Sequence, residues 1–174
     1  MLNTFQQYWH GALPRPTVDE QSRQEFAKSL KQFVQQGLLP GLGPVYQARA
    51  AKRFEQAKGR APQDRHDIRK AMVPDPYFQH YAATNRISQE LLWESVIDTI
   101  DRDVESVRVT VAQSAERNAG QLLLDPDFVV PRYVAALDIH CMPGGYAGEA
   151  GETDVDLGVL YDRGVYLYSM GYTG

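Results

Sequence analysis

The chain has 174 residues, 43% of them hydrophobic and 10% aromatic, with a formal net charge of −4; this suffices for one folded domain, or a domain plus an extension, and argues against wholesale disorder. A single cysteine, Cys141, excludes a disulfide framework and a cysteine-rich zinc site, and fits a reducing cytoplasm. The first residues lack a basic start followed by an apolar run, and no stretch of about 18 apolar residues occurs, so neither a signal peptide nor a membrane span is expected.

Charge is unevenly spread. Residues 1–120 carry 16 basic and 14 acidic side chains, whereas 121–174 carry two Arg, no Lys and eight acids. An acidic chain has no general pull on nucleic acid.

Residues 1–16 are mixed and aromatic (Phe5, Tyr8, Trp9) and close on Pro14 and Pro16, which reads as a docking arm. Thr17 or Asp19 then caps a helix over about 19–36 whose apolar face is Phe26, Leu30, Phe33 and Val34. Gly37 is expected to end it, with Leu38-Leu39-Pro40-Gly41 as a turn. A second helix fits 44–58, with Pro44 early and Gly59 after its end, and a short third fits 62–72. The basic residues of 44–70, from Arg49 to Lys70, are thinly interleaved with aromatics, which favours a solvated helix face over a nucleic-acid surface.

Pro74 and Pro76 precede a long helical region, about 77–117, with a kink expected near Asn85–Ser88. Within it Trp93, Ile97, Ile100, Val104, Val107 and Val111 recur at alternating spacings of four and three. The seam is short of three heptads, so a globular core helix is favoured over a coiled coil. Asp98, Asp101, Asp103 and Glu105 read as its charged outer face; no Glu-x-x-His partner accompanies them, and no metal site is expected.

After Gly120, Leu122–Leu124 and Phe128–Val130 are short apolar runs broken by Asp125-Pro126 and Pro131, and Tyr133–Ile139 reads as a short strand or buried extended segment. Asp154 to Met170 reads as a final helix capped by Thr153 or Asp154, with no cap evident at its far end. Gly158 and Gly164 each weaken it by about 1 kcal/mol against Ala, which points to close packing. The expected fold is mainly α: a helical domain over 1–120, then a connecting segment over 121–174 with an extended stretch near 122–140 and a final helix near 154–170.

Three motifs carry candidate chemistry. Pro143-Gly144-Gly145-Tyr146-Ala147-Gly148 lacks the close GxGxxG spacing of a phosphate cradle, and a plain turn is favoured. Cys141 reads as a small buried apolar side chain. His140 reads either as a general base or substrate-orienting group, or as a structural histidine bonded to backbone. Tyr161, Arg163, Tyr166 and Tyr168, with Asp162, admit two readings. One is a pocket wall in which Arg163 clamps a carboxylate or phosphate. The other is a helix that packs its rings on a neighbouring domain, with Arg163 in an ion pair.

The runs Asp138-Ile139-His140-Cys141-Met142-Pro143-Gly144-Gly145-Tyr146 and Leu160-Tyr161-Asp162-Arg163-Gly164-Val165-Tyr166-Leu167-Tyr168-Ser169-Met170-Gly171 resemble a segment of some bacterial class I S-adenosylmethionine-dependent methyltransferases. There the segment lies just ahead of the nucleotide-binding domain. The resemblance implies an N-terminal helical cap that contributes to substrate binding, with His140, Tyr146, Tyr161, Arg163 and Tyr166 on the substrate side. S-adenosylmethionine is the implied cofactor, and a C-terminal methyltransferase domain the implied partner. The donor-binding strand, Gly-rich turn and ribose-binding acid are absent, so this chain alone is not expected to bind S-adenosylmethionine, and no catalytic residue is assigned. The final helix is expected to expose an apolar, Tyr-rich face that the methyltransferase domain covers. The alternative is a non-enzymatic helical interaction module dimerising through Trp93–Val111. Neither nucleic acid nor a membrane is an expected partner.

Overall fold

The computed structural model describes residues 9–117, 123, 125–136, 140–144 and 155–171. Among the described residues the chain is mainly helical and contains no strand. The helices are α1 (Val18–Phe33), α2 (Leu42–Val45), α3 (Ala51–Lys58), α4 (Arg65–Met72), α5 (Pro76–Arg117), α6 (Arg132–Ala135) and α7 (Val155–Tyr168). No helix among the described residues is long and apolar enough to cross a membrane.

The chain forms two compact units, residues 1–28 with 89–174, and residues 29–88. Helices α1 and α5 contribute to both. The described part of 121–174 belongs with residues 1–28 and 89–117 in the first unit.

In the first unit, α1 begins with a reciprocal cap. The Thr17 amide donates to Glu20 Oε2 at 2.8 Å, and the Glu20 amide donates to Thr17 Oγ1 at 3.3 Å. The core gathers Leu92, Trp93, Val96, Ile100 and Val107 of α5 with Val159, Leu160 and Leu167 of α7. The sequence seam is thus spent inside the unit, with Ile97 and Val111 packed at its margin. Trp9 and Leu13 lie against the same core, which is where the described part of the N-terminal arm docks.

The buried face of α1 differs from the expected one. Phe26 and Phe33 are 62% and 53% exposed, while Gln24 and Ala27 are 0% and 1% exposed. The inward stripe is small and polar because α1 is tied to α5 by hydrogen bonds: Gln24 Nε2 donates to the Ser95 carbonyl and to Thr99 Oγ1.

In the second unit, Gly37 does not end the helix. The chain continues through a π turn (Val34–Leu38), a 3₁₀ turn (Leu39–Gly41), α2, a second π turn (Tyr46–Ala50) and α3. Passage through Gly37 costs about 1 kcal/mol but buries Val34 and Leu38, each worth roughly 1.5–3 kcal/mol. Pro40 would interrupt an α-helical ladder. Here the ladder loosens before it, with the Leu39 amide donating to the Val34 carbonyl, and tightens after it, with the Leu42 amide donating to the Leu39 carbonyl. The path closes at Gly59, whose φ of 68° supplies the left-handed stop.

Helix α4 is capped by Asp64, which accepts from the Asp67 amide at 2.8 Å. Asp75 caps α5: its carbonyl accepts from the Gln79 amide, its carboxylate accepts from the Tyr77 amide, and Pro76 fills the first helical position. Helix α5 continues unbroken through Asn85–Ser88.

Beyond α5, Tyr133 and Val134 lie in a helical turn, not in a strand or buried extended segment. Pro131 sets the chain at φ −56° before the turn, and the Ala135 and Ala136 amides close it. Tyr133 is 75% exposed, and residues 137–139 lie outside the described residues. The expected Thr153 or Asp154 cap lies outside the described residues. The far end of α7 does carry a cap. The Gly171 amide donates to the Tyr166 carbonyl at 2.8 Å and the Met170 amide to the Leu167 carbonyl at 2.9 Å, with Met170 left-handed at φ 59°.

Candidate functional site

The two runs that carry the methyltransferase resemblance converge on Trp93. Its indole Nε1 donates to the His140 carbonyl oxygen at 2.6 Å. Gly164 presents its backbone to the six-membered ring of the same indole; a Cβ there would meet Cζ3 at 2.1 Å. The His140 and Tyr168 rings, one from each run, lie 5.1 Å apart. Gly158 meets nothing comparable, so close packing accounts for one of the two helix glycines.

Arg163 is 3% exposed. Its Nε and Nη2 donate to Gln24 Oε1 at 2.9 and 2.5 Å. Gln24 passes the network on through Nε2 to Ser95 and Thr99, so one side-chain amide links α7, α1 and α5. The guanidinium also lies 5.1 Å from the Trp9 ring centroid and 5.2 Å from that of Tyr166. Burial pushes the Arg163 pKa down, against the opposing influence of Tyr166, Glu25 and Asp162. An arginine remains charged under any such shift.

Of the sequence-predicted residues, Arg163 and Tyr166 are brought together. Lys28 Nζ also lies over the Tyr166 ring, 5.4 Å from its centroid. His140 stands beside Tyr168 and Trp93. Tyr161 is 46% exposed on the outer side of α7. Tyr146 lies outside the described residues. Of the apolar, Tyr-rich face expected to be exposed on α7, Leu160 and Leu167 are instead buried in the first unit's own core, Val155, Val165, Tyr166 and Tyr168 are half-buried, and Tyr161 is exposed. Cys141 is only partly buried and takes a left-handed φ of 55°.

Sequence reading missed three participants. Gln24 sits at a polar position of α1 with no local motif. Trp93 was legible as core but not as a shared anchor. His10 Nε2 lies 2.7 Å from Asp162 Oδ2, and His10 Nδ1 accepts from the Ala12 amide at 3.3 Å, so Nε2 carries the proton given to Asp162. These partners are 152 residues apart, beyond any spacing rule.

A site for the donor, S-adenosylmethionine, calls for a glycine turn between a strand and a helix; no strand is present among the described residues, and residues 137–139 and 145–154 lie outside them. At Gly144 the space a Cβ would take is closed by Leu157 Cδ2 at 3.3 Å. No protein-family model, no curated protein and no solved structure matches the chain.

Proposed function

We propose that this chain is the substrate-side helical cap of a class I S-adenosylmethionine-dependent methyltransferase whose donor-binding domain lies outside these 174 residues. The observation that supports the reading is the convergence on Trp93 of the two resemblant runs, which are separate in sequence. On this reading the cap aligns the methyl acceptor and excludes water, contributions suited to an in-line displacement. His140 and Tyr161 are the better candidates for acceptor contact, because Arg163 is committed to Gln24.

The test has two arms. Titration of the 174-residue chain with S-adenosylmethionine is expected to reveal no binding tighter than about 100 μM, roughly −5.5 kcal/mol. The complete product of the reading frame that encodes this chain is expected to bind the same donor. If the complete product does not bind it, the methyltransferase reading fails.

A further inference from the structure

The second unit holds a groove of about 630 Å³, within the range of small-molecule sites. Leu42 of α2, Tyr46 of the following π turn and Phe78 of α5 line it. Further lining comes from α4, including His66. There Arg65, Ile68, Arg69 and Met72 follow the spacing of a single helical stripe.

The charge on this groove is one-sided. No acidic residue lines it among the described residues. The nearby acids are already engaged: Asp64 caps α4, Asp67 takes Arg60 at 2.5 Å, and Asp75 takes Arg49 and Arg53. Arg65 and Arg69 are exposed and make no side-chain hydrogen bond or ion pair with any described residue. Neighbouring arginines in the same unit are paired, so the groove combines an apolar floor with two uncommitted guanidinium forks. That combination suits an apolar body ending in a planar anion, which an arginine fork receives through two parallel hydrogen bonds.

From this geometry we infer that the groove binds an apolar carboxylate of the fatty-acid class, its tail along Leu42, Ile68 and Met72 and its carboxylate on Arg65 and Arg69. The site is independent of the methyltransferase reading.

Calorimetric titration of the 174-residue chain with dodecanoate tests it. One molecule is expected to bind per chain, and the Ile68 and Met72 methyl resonances are expected to shift. The Arg65→Gln/Arg69→Gln double variant is expected to bind about tenfold more weakly or worse. Dodecyltrimethylammonium, with the same tail and the opposite charge, should bind at least about tenfold more weakly than dodecanoate. Gly43 lines the groove, and a Cβ there would meet nothing within 4 Å. Gly43→Leu should therefore fill the groove and abolish binding without loss of helical circular dichroism. If that variant does not fold, the arginine variant decides alone. Four results would overturn the inference: no dodecanoate binding up to about 1 mM, equal binding of the cationic tail, affinity unchanged by the arginine substitutions, or a dimer by light scattering that Gly43→Leu dissociates.

Discussion

Gly164 leaves no room for a side chain against Trp93, because the first carbon added to it would stand 2.1 Å from Cζ3 of the indole. The ring cannot easily retreat, since its Nε1 is held by the His140 carbonyl. Gly164→Ala is therefore expected to destabilise the protein by about 1–3 kcal/mol, as overpacked cores do. Gly158→Ala, on the open side of the same helix, should stabilise it by up to about 1 kcal/mol. Urea unfolding of the two variants separates the cases, and equal midpoints would remove the Trp93 contact as the cause.

Arg163→Ala should cost about 3 kcal/mol or more, because it leaves buried Gln24 Oε1 without its donor and opens a void. Gln24→Ala should cost less once Arg163 is already gone, giving a coupling of about 1–3 kcal/mol in a double-mutant cycle. Strict additivity would mean the two side chains are neighbours without being partners.

Met170 occupies a left-handed position that favours glycine. Met170→Gly is expected to raise stability by about 1 kcal/mol through relief of that conformation. A lower thermal midpoint would indicate that the Met170 side chain contributes more by packing than its backbone costs.

Asp75 gives a pH dependence of known sign. The Arg49 guanidinium beside it, bonded at 2.7 and 2.8 Å, holds its carboxyl down at about 2 despite burial. An unfolded Asp titrates near 3.9. The folded value is the lower one, so this stabilisation is full above about pH 4 and is lost as pH falls through about 2. Acid unfolding of Asp75→Asn should lack that part of the dependence; an acid limb identical to wild type would locate it elsewhere.

Much of the fold was legible where chain chemistry is local. Gly59 and the Pro-rich start of α5 announced themselves by residue type, and the Trp93–Val111 seam by its spacing. Asp98, Asp101 and Glu105 stand exposed on the outer face, as the alternation of charge and seam implied. Elsewhere long-range burial outweighs the signal of single residues. Gly37 is a stop signal only if nothing is gained by continuing, and Val34 and Leu38 change that balance. Phe26 and Phe33 are apolar yet exposed, whereas Gln24 takes the interior by satisfying three partners at once. The candidate site was legible as a list of residues but not as an arrangement. No spacing places Arg163 against Gln24 or His10 against Asp162.

The Gln24 amide has a direction. Its oxygen accepts hydrogen bonds from Arg163 on one side, and its nitrogen donates to Ser95 and Thr99 on the other. Turned over, it would set an NH₂ against a guanidinium and an oxygen against a carbonyl. The junction of α1, α5 and α7 therefore works as a keyed joint rather than a greasy one. A slip of one residue in any of the three helices would be refused by mismatched polarity as well as by shape.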